Sequence, residues 1–272
     1  MSDVTVRNPG IGLVLEASKA IASDSLDHQF PWGTRQDNSM NPRFNYKVYA
    51  LYAQRAESGL KILDLGCSGG GFVRNCIDDG HFAVGLEGSD YSRRFQRAEW
   101  ATIPQFLFTC DVTHPFKLFL DGEPLRFDVI TSWEMIEHID EGNLKGLSEN
   151  CALHLKPDGL WMMSVSAVED VKFGQQLHRT VEPKPWWIKK FASLGWTHHE
   201  EYLDYFRGQF VRGPHYGAPN SFHLVLSHGD GELPVPRRIG PAGKLYDSWL
   251  NCNFHRFLKA ILIEPPNGRG GY

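Results

Sequence analysis

Acidic and imidazole side chains fall at chemically useful intervals in this 272-residue chain. Asp64 stands in the run KILDLGCSGGGFV, just before a turn that is nearly stripped of side chains. A glycine-rich turn between a strand and a helix lets a ligand lie against bare backbone. A carboxylate at that point repels a pyrophosphate and suits a cationic or amino-bearing ligand. Gly66 is followed by Cys67 and Ser68 and then by Gly69, Gly70 and Gly71, which breaks the dinucleotide spacing; no Gly-Lys-Ser/Thr follows to make a phosphate loop. A second set lies in SWEMIEHID. If the segment from Trp133 to Asp140 begins or forms a helix, Glu134, Glu137 and His138 fall at i, i+3 and i+4 and share one face. His178 follows downstream in LHRTVEPKPWW.

Positioning these groups requires a regular scaffold. Helical periodicity at 45–56 precedes strand-like runs at 61–65, 82–86, 105–109, 127–131 and 160–165. Helix-compatible segments at 71–79, 91–101 and 141–155 separate them, the last stopped by KPDG. Such alternation predicts a parallel sheet with right-handed crossovers and helices on both faces. A helix at 185–194, a strand at 197–205, a Gly/Pro-rich loop at 207–219 and a strand at 221–228 then predict an antiparallel hairpin at one sheet edge. Three regions are expected: an N-terminal extension or lid at 1–43, a catalytic domain at 44–230 and a C-terminal extension at 231–272 packed on the core. No internal repeat or low-complexity tract is present.

The ordered motifs resemble the class I S-adenosylmethionine-dependent methyltransferases. ILDLGCSGGG looks like their first motif, with Ser68 where the family often has its middle glycine. AVGLEGSD puts Glu87 at the end of the second strand, where an acid accepts the ribose hydroxyls. FTCDVTHPF puts Asp111 after the third strand, where family members bond the adenine amino group, and LKPDGLWMMSV is similar to the family's fifth strand. The resemblance covers roughly 45–230. It implies a Rossmann-like, mostly parallel seven-stranded sheet with an antiparallel edge hairpin. S-adenosylmethionine is then the cofactor, touched by Asp64, Gly66, Cys67, Ser68, Gly70, Glu87, Gly88, Asp111, Val112 and Ser132. Asp64 would organise amide and water contacts near the cofactor's amino group. Taken singly, Asp64 also reads as a turn cap, Glu87 as a solvated strand end and Asp111 as an Asx-turn former.

The acceptor is narrowed by what is missing. The place after the fourth strand reads SWEM, without the Asp/Asn-Pro-Pro-aromatic motif of many amino-group methyltransferases; EPPN occurs only at 264–267. No Pro-Cys pair serves cytosine C5 chemistry, and the Lys-Asp-Lys-Glu tetrad of cap 2′-O-methyltransferases is not evident. The E-x-x-E-H set with a later His resembles the divalent-metal site of small-RNA 2′-O-methyltransferases, and similar sets occur in some quinone O-methyltransferases. It implies Glu134, Glu137, His138 and His178 as ligands, and mixed carboxylate and imidazole donors suit Mg²⁺ or Mn²⁺. The other readings are His138 or His178 as a general base with Glu137 beside it, or a purely structural role. Trp133, Trp186 and Trp187 read as core or as pocket wall. DHQFPWGTRQDNSMNPRF and RGQFVRGPHYGAPN mix aromatic, Arg, His and Asn residues in a way that suits a polyhydroxylated acceptor, or else merely cover the sheet.

The bulk numbers bound the rest. Net charge is −4, so no basic field advertises a nucleic-acid or anionic-membrane partner, although a local groove is compatible with that total. Five cysteines without CxxC spacing read as free thiols. No basic-then-apolar signal or membrane-length apolar run is present, and a cytoplasmic location is expected. The expected function is O-methylation of a small molecule or glycan. The alternatives are an RNA-terminal 2′-O-methyltransferase and a non-catalytic cofactor-binding partner subunit. The acceptor and the oligomeric state are not fixed by the residues.

Overall fold

A computed structural model describes residues 4–8, 10–53 and 59–236. Cys252, EPPN and nearly all of the expected C-terminal extension lie outside them. Seven strands form the main sheet: β1 (Lys61–Leu65), β2 (Phe82–Glu87), β3 (Leu107–Thr109), β4 (Phe127–Trp133), β5 (Leu155–Ser166), β6 (Thr197–His198) and β7 (Ser221–Ser227). Their order is β6-β7-β5-β4-β1-β2-β3, parallel from β5 through β3, with β7 antiparallel to β5 and β6 antiparallel to β7.

The near-continuous apolar runs follow from burial of both sheet faces. Leu63, Leu65, Ile130, Trp161 and Met163 join one core cluster, while Ile62, Val129, Leu160 and Met162 join the other. That alternation is the period-2 pattern of a strand sandwiched between layers. The helix Gly71–Asp78 follows β1 directly and buries Phe72, Val73 and Cys76 against the second cluster. Gly70 caps it at φ +86°, a left-handed conformation that favours glycine.

Local structure departs from the sequence reading in three places. The stretch at 91–101 is a short helix, Tyr91–Arg94, followed by a 3₁₀ turn at Ala98–Ala101. Instead of one strand at 197–205, β6 stops after two residues and a helix runs over Glu200–Phe206. Two acids in its first turn complement the helix dipole, and Tyr202, Tyr205 and Phe206 share the buried face, so helical period outweighs the strand preference of the aromatics. The third departure is at the N-terminus. Val4–Asn8 pairs antiparallel with Leu13–Ala17, which pairs with Phe116–Leu120, which pairs with Glu123–Pro124, making a separate four-stranded sheet. Leu13, Leu15 and Ala17 are buried in the first cluster, so this part of the expected lid is core.

Cys67, Cys76, Cys110 and Cys151 are buried free thiols. No helix among the described residues is long and apolar enough to cross a membrane.

Candidate active site

The C-terminal ends of β1 to β5 meet along one edge of the sheet, where open parallel sheets bind ligands. Two adjoining cavities lie there, of about 130 and 400 Å³. The smaller is lined by Gly66, Glu87, Gly88, Asp111 and Val112, with Lys19 and Met135 among the other walls. Gly66 at φ +73° turns the chain out of β1, and a Cβ there would meet the Met135 side chain at 2.5 Å.

Glu87 is buried, and its carboxylate organises the turn. Oε2 accepts from Ser68 N at 2.7 Å, and Oε1 accepts from Ser89 N at 3.0 Å and from Thr34 Oγ1 at 3.4 Å. Burial raises its pKa while these amides oppose the rise. Asp111 Oδ1 accepts from Thr113 N at 3.1 Å and from Thr113 Oγ1 at 2.7 Å, the Asx-turn role. Its Oδ2 lies 3.1 Å from Lys19 Nζ.

Other residues expected at the cofactor sit elsewhere. Asp64, Cys67, Gly70 and Ser132 line neither cavity. Asp64 lies beneath the turn, where Oδ1 accepts from Thr131 Oγ1 at 2.6 Å. Burial, with Asp37 and Glu87 nearby, pushes its pKa to about 8. The Cys67 sulfur packs beside Gly85, and Ser132 Oγ accepts from Trp161 Nε1 at 2.9 Å inside the core. Ser68, at φ +48°, does face the larger cavity.

The glycines beyond Ser68 serve the protein's own chain. Asp37 O accepts from Gly69 N at 3.2 Å, from Ser68 Oγ at 2.8 Å and from Arg97 Nη2 at 2.5 Å. A Cβ on Gly71 would meet Asn38 O at 2.5 Å. Residues 33–39 therefore occupy much of the bare surface that the sequence reading assigned to a ligand. From the same N-terminal segment Asp27, Trp32, Thr34 and Asp37 line the larger cavity, opposite Arg212 and Asn220. No periodicity marks these residues, and sequence reasoning did not single them out individually; nor did it single out Lys19 and Met135.

The E-x-x-E-H segment is not a regular helix. Glu134 adopts φ +50° and a 3₁₀ turn covers Ile136–His138, so the expected shared face does not form. Glu134 Oε2 accepts from Ser221 Oγ at 2.6 Å, while Oε1 is buried without a hydrogen-bond partner, and the residue does not join the cluster formed by the other three. Glu137, His138 and His178 do converge, each offering a ligand atom within 4.8 Å of the others. Glu137 Oε1 accepts from Ser166 N at 3.0 Å, while Oε2 is buried without a hydrogen-bond partner. Burial and the neighbouring Glu134 push the Glu137 pKa to about 8. His178 Nδ1 donates to Val168 O at 2.6 Å, and burial lowers its pKa. His138 Nδ1 lies 2.9 Å from Asp27 Oδ2, a charge contact without hydrogen-bond alignment. Burial opposes the charged ring, yet Asp27 with Glu137 lifts its pKa to about 9.

Trp133 lines the larger cavity and also packs edge-on against Phe44 at 5.1 Å, so both of its readings apply. Trp187 is core, fully buried against Phe191.

Residues 38–223 match a family described as a methyltransferase domain. Curated relatives of the chain carry the name ubiquinone biosynthesis O-methyltransferase. The protein of Pectobacterium carotovorum is 28% identical over 198 residues, 68% of this chain and 78% of its own length. That of Idiomarina loihiensis is 28% identical over 126 residues, 42% of this chain, and the match spans only 50% of its length. Among solved structures, the 1,6-didemethyltoxoflavin-N1-methyltransferase of Burkholderia thailandensis superposes with a TM-score of 0.50 at 16% identity, covering 85% of this chain and all of that one. This last likeness concerns the fold.

Proposed function

The chain belongs to the methyltransferase-domain family and is a class I S-adenosylmethionine-dependent methyltransferase; from that premise we propose that it methylates a hydroxyl of a small molecule. The observation that carries the reading is the convergence of His138 and His178, which line the larger cavity next to the Gly66 turn and Glu87, with the buried Glu137 behind them. S-adenosylmethionine supplies a methyl group activated on a sulfonium. A hydroxyl is a poor nucleophile at neutral pH, and the residues fit a divalent cation: an imidazole with one nitrogen engaged by a carbonyl, a second with a carboxylate 2.9 Å from one nitrogen, and a carboxylate oxygen without a partner. Mg²⁺ or Mn²⁺ held by Glu137, His138 and His178 would lower the hydroxyl's pKa.

The protein's own contribution is placement. Glu87 sits where two vicinal hydroxyls of a ribose would be accepted, and Met135 wedges between the two cavities. A chamber of about 400 Å³ suits one or two rings, and Trp32 and Trp133 offer flat apolar walls with Arg212 and Asn220 as polar ones. The names of the curated relatives support O-methylation, and a hydroxylated ring or a sugar matches the chamber. Expectations for the N-terminal segment as lid and for residues 207–220 as specificity loop rest on these cavity walls.

The test is turnover with S-adenosylmethionine on a panel of catechols, monosaccharides and RNA oligonucleotides, with and without EDTA. Methylation of a small hydroxylated acceptor, abolished by EDTA and restored by Mg²⁺ or Mn²⁺, is expected. Methylated RNA termini with inert small acceptors would replace this reading, and full activity in EDTA would remove the cation.

A further inference from the structure

Asp27, which lines both cavities, belongs to a single helical turn, Leu26–Gln29. Its backbone N donates to Ser25 Oγ at 3.2 Å. The segment is fastened on either side of it. Ala22 N donates to Gly88 O at 2.9 Å, and Thr34 Oγ1 donates to Glu87 Oε1 at 3.4 Å. Both anchors are walls of the cofactor cavity.

An imidazole carries one lone pair when neutral, and the partner of one nitrogen decides where that pair resides. Val168 O takes the Nδ1 proton of His178, which leaves Nε2 as its donor atom. Asp27 Oδ2 stands at the corresponding nitrogen of His138, 2.9 Å away. Glu137 repeats the pattern, with one oxygen held by Ser166 N and the other uncommitted in a fully buried side chain. His178 and Glu137 therefore each have one atom held and one left over, and His138 has Asp27 standing beside Nδ1 without an aligned hydrogen bond. Histidines that bind metal are commonly oriented by a carboxylate or carbonyl in this way, and contacts that are poorly aligned in an empty site tighten on loading.

We infer that Asp27 is a positioning residue for the cation site, keeping the His138 proton on Nδ1 and presenting Nε2 to a divalent cation shared with Glu137 and His178. The inference rests on the cation reading of the proposed function. It adds that the N-terminal segment walling the cofactor cavity also orients one of the three ligands.

Mn²⁺ titrated into the full chain and followed by the electron paramagnetic resonance of the free ion separates the possibilities. Wild type, Asp27→Asn and Asp27→Glu are compared, with S-adenosylhomocysteine affinity measured calorimetrically in metal-free buffer. Asp27→Asn should weaken Mn²⁺ binding about ten- to a hundredfold, by a clearly larger factor than it changes the metal-free affinity for S-adenosylhomocysteine, whose cavity Asp27 also lines, and Asp27→Glu should recover part of the Mn²⁺ binding. Equal Mn²⁺ affinity in wild type and Asp27→Asn would overturn the role of Asp27 and leave the cation reading intact. Parallel loss of both affinities would mark Asp27 as merely structural, again overturning the inference. Absence of Mn²⁺ binding by wild type would overturn the inference and the cation reading together.

Discussion

His138 and His178 meet edge to face, their ring centroids 4.8 Å apart and their planes at 90°. One ring follows β4 and the other follows β5, and these strands are parallel neighbours in register from Val129↔Leu160 to Trp133↔Ser164. The sheet thus brings together two segments that sequence distance keeps apart. Glu137 O accepts from Arg179 N at 2.7 Å and from Thr180 N at 3.0 Å, which staples the two segments just beside the rings.

Glu137 and Glu134 should behave differently despite their shared motif. Glu137→Gln keeps an acceptor for Ser166 N but removes the anionic oxygen beside the histidines; turnover should fall by about a hundredfold or more, with a raised Mg²⁺ requirement. Glu134→Gln keeps the bond from Ser221 and should leave the Mg²⁺ requirement unchanged. Turnover measured against Mg²⁺ concentration checks both. Equal shifts in the two variants would return Glu134 to the ligand set.

Glu87→Gln should weaken S-adenosylhomocysteine binding by roughly 1.5–3 kcal/mol, about ten- to a hundredfold. A single amide oxygen cannot serve Ser68 N, Ser89 N and a ribose as the carboxylate does. Calorimetry on the folded variant decides it: an unchanged affinity would take Glu87 out of the cofactor site.

Lys19 competes for the carboxylate that the family resemblance assigns to adenine. Its ammonium group contacts both Asp111 Oδ2 and Asp24 Oδ2, at 3.1 and 2.5 Å. Lys19→Met leaves only His114 Nδ1, 3.2 Å away, beside that oxygen of Asp111 and opens it to the adenine amino group, so S-adenosylhomocysteine should bind more tightly. Weaker binding would instead mean that Lys19 itself contacts the cofactor.

Acid should destabilise the fold through His154. Its Nε2 accepts from Leu118 N at 3.2 Å, its Nδ1 donates to Asn150 O at 2.8 Å, and its ring stacks on Phe116. Burial holds the ring neutral and lowers its pKa to about 4. The unfolded chain, with an ordinary value of about 6.5, takes up the proton first. The stabilisation is therefore complete above about pH 6.5 and is lost as pH falls towards 4, on the order of 3 kcal/mol at most. Unfolding temperatures of wild type and His154→Gln across this window should converge at low pH. Parallel curves would dismiss His154 as the cause.

The order of the sheet and the identity of its edge were legible because β1, β2, β4 and β5 are apolar runs punctuated by acids and glycines. Glu87, Gly88, Asp111 and Val112 stand on the smaller cavity because strand ends are recoverable from such punctuation. Glu134 was misplaced for a backbone reason: periodicity assumes helical dihedrals, and a left-handed residue after β4 rotates the following turn. Asp64 bonds Thr131 and lines neither cavity, a placement that sequence does not reveal because a carboxylate at a strand end looks the same whichever way it faces. Asp27, Thr34 and Asp37 were legible only as part of the stretch 27–44 and not singly, because their position depends on long-range docking of an irregular segment, which leaves no local periodicity.

Asn38, lying over Gly69 and Gly71, changes what damage to a glycine signature reports. An alanine at such a place is ordinarily taken to block the small molecule. Here a methyl group on Gly71 would strike the carbonyl of Asn38 first, within the protein itself. The injury would travel outward along residues 22–39, dislodging Asp37 and Thr34, and would show as faster proteolysis of that stretch in the empty protein. Lost affinity in a Gly71→Ala variant would then be a symptom of an undocked N-terminus, and only the proteolysis pattern distinguishes it from a direct obstruction.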